Sequence, residues 1–158
     1  MYRAIDDGIT HVNTYSKGAT QLGRLISNMY EDPFTCELGS FRCIECLYHY
    51  VKFHKEPEAE MFHSLNGFDG KKLANLLKEE RQIQFYPGWE KILYTQMWEK
   101  FKRHRCYFVF QYKDLPLTHY YVYGGKEVQT GTISKWDEEI EKMRKCIYSL
   151  EEYHYGDE

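Results

Sequence analysis

The sequence predicts an α+β fold, rich in helix and carrying a few short strands. Three features carry that prediction. Long stretches place apolar residues at helical spacing, short runs alternate or are aromatic, and no repeat or Gly/Ser/Pro-rich linker divides the 158 residues. A chain of 19.1 kDa suits a single domain spanning residues 1–158, large enough to bury roughly two-thirds of its unfolded surface without disulfides.

Residues 9–15 alternate and are β-branched, the pattern of a short strand. Ser16-Lys17-Gly18 interrupts, an apolar stretch runs over 22–29, and Asp32-Pro33 reads as a turn. Over 41–54, Ile44, Leu47, Tyr48 and Val51 recur at i, i+3, i+4 and i+7, which predicts a helix whose buried stripe excludes Glu45. Glu45 sits beside that stripe, with His49 and Lys52 on the same flank. Two short helices are expected over 58–65 and 71–80, with Asn66-Gly67 as a stop between them. Pro87 opens a stronger helix over 88–104, its apolar positions being Trp89, Ile92, Leu93, Met97 and Phe101. Residues 106–112 are aromatic and apolar enough for a strand, with a buried helical turn as the alternative. Residues 117–123 alternate into Gly124-Gly125, a hairpin signal. The last helix, 134–150, carries Trp136, Ile140, Met143 and Ile147 at helical spacing, with acidic residues first and basic ones later, as the helix dipole favours. The tail from Glu151 is polar and expected to fray.

Composition narrows the function. Hydrophobic residues at 42% and charged residues at 28% exclude a disordered chain. With 21 basic and 24 acidic side chains the net charge is −3, so any nucleic-acid contact must come from a local basic patch. Aromatic residues make up 17%, which fits either a Tyr-rich core and surface or a pocket that stacks flat rings. The N-terminus has no apolar h-region and no run approaches the roughly 20 residues that span a bilayer, so no secretory signal and no membrane partner are expected. Five cysteines, an odd number, fit a reducing cytoplasm. Cys43-x-x-Cys46 lacks a second ligand pair beyond the scattered Cys36, His49 and His54, so both thiols read as packing residues and no metal is expected. Phosphate-loop, dinucleotide, zincin and nucleophile-elbow motifs are all missing from the sequence.

Three segments stand out together: Leu25-Ile26-Ser27-Asn28-Met29-Tyr30 before Asp32-Pro33-Phe34, then Phe41-Arg42-Cys43-Ile44-Glu45-Cys46-Leu47-Tyr48 running to Lys52-Phe53, then Gly88-Trp89-Glu90 with Lys100-Phe101. In order and spacing they resemble the NADAR (YbiA-like) superfamily over residues 10–105. That family shows an L-S-N-[FM] segment before Pro-Phe, an S-x-E-aromatic helix ending in Lys-Phe, and a Trp-led helix ending in Lys-Phe. The resemblance implies an N-glycosidase without a cofactor. Its implied substrates are ADP-ribose attached to guanine in DNA, single-stranded DNA being preferred, or small phosphoribosylated metabolites. The ending from Leu117 to Gly125 resembles a divergent, largely phage-encoded branch, which implies action in the host cytoplasm against a toxin that modifies DNA. The chain departs from better-known members in lacking their Asp and Trp-Gly segment and their Gly-Asn-x-Leu-Gly block. That departure keeps open a non-catalytic protein that binds ADP-ribose or a similar nucleotide.

Breaking a ribosyl C–N bond builds positive charge on the sugar, and a carboxylate aimed at that charge lowers the barrier. Carried over by the resemblance, Glu45 is the catalytic residue; by position alone it is also an ordinary helix-flank glutamate paired with Lys52 or His49. Asn28, beside Ser27, suits ribose hydroxyls or a base edge, and equally suits a turn cap. Trp89 stacks on a base or fills the core. Arg42, Lys17 and Arg24 fit a pyrophosphate or a solvated surface, Lys52 lies on the Glu45 flank, and Tyr121 with Tyr123 offer a replacement stacking face. The basic run over 100–105 tracks a DNA backbone or simply ends a helix. His49, His119 and Tyr121 are the candidates to protonate the leaving nitrogen.

Overall fold

The computed structural model describes residues 1–110, 112–129 and 135–156. After a 3-10 turn at Ala4–Asp6 come β1 (Val12–Asn13), α1 (Gln21–Ile26), β2 (Phe34–Cys36), β3 (Gly39–Phe41) and α2 (Ile44–Phe53). A 3-10 helix at Pro57–His63 leads to α3 (Gly67–Glu80), α4 (Trp89–Arg103) and α5 (Arg105–Phe110). β4 (Leu117–Thr118), β5 (Tyr120–Tyr123), β6 (Lys126–Gln129) and α6 (Lys135–Ser149) complete the order. The α+β class, helix-rich with short strands, is the one expected. The chain divides into two compact units, Asn28–Met97 and the pair of segments Met1–Ser27 and Trp98–Glu158.

In Asn28–Met97, β2 and β3 form an antiparallel hairpin registered Phe34↔Phe41 and Cys36↔Gly39. Gly39 turns it at φ +117°, and a Cβ there would stand 2.6 Å from the His63 ring. Phe41 therefore closes a strand instead of opening the helix, and α2 begins only at Ile44. The inner face of α2 buries Ile44, Leu47 and Val51, three of the four positions that the spacing predicts; Tyr48 is half-buried. Asn66-Gly67 is a start, not a stop. The Asn66 side chain accepts from the Asp69 N–H at 2.8 Å and caps α3, satisfying one of the donors that a helix N-terminus leaves open. At the other end of α2, the N–H groups of Gln84 and Tyr86 donate to the Lys52 and Val51 carbonyls, which lays segment 81–88 along the helix before Trp89 begins α4.

In the other unit, β1 and β4 pair in parallel, Val12 opposite Leu117. The Asn13 amide extends the pairing by side chain, donating to the Tyr120 carbonyl at 2.9 Å and accepting its N–H at 3.0 Å. The strand is shorter than the alternation over 9–15 implies because His11, Val12, Asn13, Thr14 and Tyr15 are all buried, their polar groups bonded internally. Gly23 of α1 packs against that backbone: a Cβ would lie 2.2 Å from the Asn13 carbonyl oxygen. Residues 105–110 are the helix α5, so the strand reading of 106–112 is corrected; residue 111 lies outside the described residues. The decisive contact is long-range, Phe108 being fully buried with its ring 5.0 Å from Phe101. The expected hairpin is present, β5 and β6 joined by Gly124-Gly125 at φ +56° and +77°, both left-handed as a tight primed turn requires.

Helix α6 buries Ile140, Met143 and Ile147, and its predicted start at Ser134 lies outside the described residues. Its buried Arg144 donates to the carbonyls of Tyr112, Lys113 and Leu115 at 2.7, 3.1 and 2.8 Å, holding that loop. The tail does not fray: Tyr153 is buried, its hydroxyl donating to Glu139 Oε2 at 3.2 Å, while Trp98 Nε1 donates to Glu152 at 3.1 Å. Among the described residues no helix is long and apolar enough to cross a membrane.

Candidate active site

Glu45 lies in the first turn of α2, where unpaired N–H groups give the helix a positive end that favours a carboxylate. Its own N–H donates to the Asn28 carbonyl at 2.9 Å, tying the Asn28 segment to the helix start. One turn on, His49 meets it, Nε2 standing 2.9 Å from Glu45 Oε1, with the two side chains 6% and 17% exposed. His49 Nδ1 is buried without a hydrogen-bond partner. This pattern assigns the proton to Nε2, because a bare acceptor is tolerated inside a protein more cheaply than an orphaned cationic donor.

The pairing is with His49 and not Lys52. Burial is the largest single influence on Glu45 and opposes its ionisation, but the His49 hydrogen bond together with the charges of His49, Lys71 and Lys52 outweighs it. The carboxyl is held below its ordinary range and stays ionised at neutral pH. No hydrogen bond from the described residues reaches the second oxygen, Oε2.

Around this carboxylate stands an aromatic and basic wall. The Tyr48 ring is 6.0 Å from Trp89, and Trp89 stacks on Phe85 at 4.7 Å with 27° between planes. Trp89 is half-buried and Phe85 is exposed, so the stacked pair is not core filling. The Lys52 ammonium sits 4.6 Å above the Tyr48 ring. Burial lowers the pKa of Lys52 and raises that of Tyr48, and the Glu45 charge pushes both upward. The Asn28 side chain is half-buried and makes no hydrogen bond to the described residues, so it does not serve as a cap; the α1 terminus is capped by the Ser27 N–H donating to Gly23. Arg42 is committed elsewhere, forked onto Glu31 at 2.9 and 3.0 Å with a further bond to the Ser64 carbonyl. Cys43 and Cys46 are buried thiols whose sulfurs lie 3.7 Å apart. Among the described residues no cluster of His, Cys, Asp or Glu has the makings of a metal site.

No protein-family model matches the sequence, and no curated protein matches it. In three dimensions the chain is similar to the E. coli protein YbiA, solved by NMR, with a TM-score of 0.58 over 98% of each chain at 18% identity. The chain has a YbiA-like fold. On this YbiA-like fold Glu45, Asn28, Lys52 and Trp89 all belong to Asn28–Met97.

The remaining candidates belong to the other unit. Ser27 is buried, and its carbonyl accepts from the Lys100 ammonium at 2.9 Å. That contact corrects the reading of residues 100–105 as one exposed basic run: Lys100 is 2% exposed, and Lys102 pairs with Glu99 at 3.0 Å. Tyr121 touches Tyr15, His119 and Tyr123 at ring distances of 5.7, 5.1 and 5.9 Å, and Tyr123 is exposed, so these rings form one aromatic face on the hairpin. His119 Nδ1 lies 2.8 Å from the Thr14 carbonyl. Arg24 donates to the Gly18 carbonyl and to Gln21, and Lys17 is exposed.

Sequence reasoning missed Phe85 and Lys71. An aromatic four residues before Trp89 was the available signal for Phe85. Lys71 reaches Glu45 from another helix, and no local pattern announces that.

Proposed function

We propose that this protein is an N-glycosidase that hydrolyses a ribosyl C–N bond, its substrate being ADP-ribose attached to guanine in DNA, so that it reverses a toxin's modification of phage DNA. One observation carries the reading: a half-buried carboxylate, Glu45, kept ionised with one oxygen on His49 and the other open, beside the exposed Phe85–Trp89 stack. As the C–N bond lengthens, the ring oxygen and anomeric carbon become cationic, and Glu45 stabilises them more than it stabilises the neutral ground state. The same carboxylate orients a water, whose oxygen bonds to the anomeric carbon while a proton goes to the departing nitrogen. Trp89 and Phe85 supply a face for a flat ring. The YbiA-like fold supports the hydrolase reading. Because a concave site cannot reach an anomeric carbon inside the base stack, single-stranded or extruded nucleotides are the preferred form.

The test is release of ADP-ribose from an ADP-ribosylated single-stranded oligonucleotide. The parent protein releases it, and Glu45→Gln, which keeps the shape and removes the charge, is slower by about a hundredfold or more. No release by the parent ends the proposal. A second reading keeps the chemistry and makes the substrate a small phosphoribosyl compound. It is favoured by the net charge of −3 and by the burial of Lys100, which takes a cation out of the most basic stretch. Salt separates the two, since affinity for a DNA substrate falls steeply as salt rises and affinity for a small metabolite falls little.

A further inference from the structure

Helices α2 and α3 lie side by side with their N-termini together. A Cβ at Gly67 would stand 3.3 Å from Cys43 Sγ, and one at Gly70 would stand 2.7 Å from Cys46 Sγ. Those two contacts join residues equally far apart in the chain. The same constancy holds for two electrostatic pairs further round the helices, Glu45 with Lys71 and Lys52 with Lys78. The flank of α2 that carries Glu45 and Lys52 thus runs in register with the face of α3 that carries Lys71 and Lys78. Each helix places its two members two turns apart, roughly 10 Å.

The two layers differ in sign. At the first, a carboxylate meets an ammonium. At the second, two ammonium groups meet, and neither Lys52 nor Lys78 makes an ion pair or hydrogen bond with the described residues. Lys52 is half-buried against the Tyr48 ring, so its donors have lost water without gaining an acceptor. Like charges brought together without a counter-ion repel. An anion with several acceptor oxygens removes both costs, and point-charge ammonium groups suit a tetrahedral phosphate better than the planar carboxylate that Arg forks onto.

We propose that Lys52 and Lys78 form a subsite for a phosphate or pyrophosphate group, two helical turns along from Glu45. The assignment of that phosphate to a ribosyl substrate rests on the glycosidase reading, whereas the subsite itself does not. It places the anionic end of the ligand at the lysine layer and the sugar at the carboxylate layer.

Inorganic pyrophosphate, titrated into the full chain at low salt and followed by calorimetry and by the NMR signals of the lysine Cε groups, tests this. The expected result is one saturable site that shifts Lys52 and Lys78. Lys52→Gln and Lys78→Gln each weaken binding roughly tenfold. Lys72→Gln removes the same charge about 100° further round α3 than Lys71 and leaves binding unchanged. Absence of saturable binding, or equal weakening by Lys72→Gln, overturns the subsite. Glu45→Gln separates the two proposals, because it retains pyrophosphate binding while losing any hydrolysis. If the parent hydrolyses no ribosylated base and yet binds pyrophosphate through these lysines, only the glycosidase reading falls. These side chains lie outside the core, and unchanged melting temperatures verify that every variant folds.

Discussion

Two carboxylates near helix starts, Glu45 in α2 and Glu139 in α6, have little contact with water and very different surroundings. Glu139 is 4% exposed, and both its oxygens are engaged, one by the Tyr153 hydroxyl at 3.2 Å and one by the Lys142 ammonium at 3.4 Å. Its partners belong to the same helix and to the tail that the helix holds down. Glu45 has one oxygen on His49 and one open, next to a stacked aromatic pair that faces solvent. Burial alone therefore does not mark a site. A carboxylate whose hydrogen-bonding capacity is exhausted holds a fold together, and one with capacity left beside unpaired donors is available for chemistry.

The contrast is most sharply broken by exchanging the losses. Glu45→Gln lowers activity about a hundredfold or more while leaving the melting temperature close to that of the parent. Glu139→Gln does the reverse, keeping activity and lowering stability by about 1–3 kcal/mol in urea unfolding, since it leaves buried partners poorly satisfied. Should both variants lose activity and stability together, the distinction between the two carboxylates fails.

A middle-sized effect concerns His49. Removing its hydrogen bond in His49→Ala leaves burial as the dominant influence on Glu45, so the carboxyl titrates at higher pH, measurable by 13C NMR without any substrate. The acid limb of activity moves upward with it, and His49→Gln, which keeps a donor, restores part of the shift. The sign for stability follows. Glu45 ionises below its ordinary range in the folded protein, so its contribution is complete above the ordinary carboxylate value and is lost as pH falls through the lower folded one. An unmoved carboxyl in His49→Ala would mean that the lysines alone hold the charge. The smallest expected effect is Tyr153→Phe, which removes one buried hydrogen bond from Glu139 and costs about 1 kcal/mol of stability with no change in activity.

Most helices were legible because their signal is local. Apolar residues at i, i+3, i+4 and i+7 mark α2, the Pro87 and Trp89 start marks α4, and α6 shows the same periodicity with dipole-matched charges. The flank of α2 that carries Glu45, His49 and Lys52 was legible on the same grounds, since helical spacing alone places those residues in line. Gly124-Gly125 announced its hairpin because few other residues accept two successive left-handed conformations. Asn66 was misread because the same residue type ends a helix or caps one, and only the bond to Asp69 distinguishes the two.

What the chain determines by itself is the set of local conformations, through side-chain periodicity, turn chemistry and the ordering of its motifs. Tertiary structure decided the rest, because it depends on partners far away in the sequence. Phe108 packs on Phe101 and turns an aromatic run into helix, Lys100 surrenders its charge to the Ser27 carbonyl, and Tyr153 draws a polar tail onto Glu139. Lys71 and Lys78 reach the flank of α2 for the same reason: two glycines let one helix approach another, and no pattern within a single helix encodes which charges then meet.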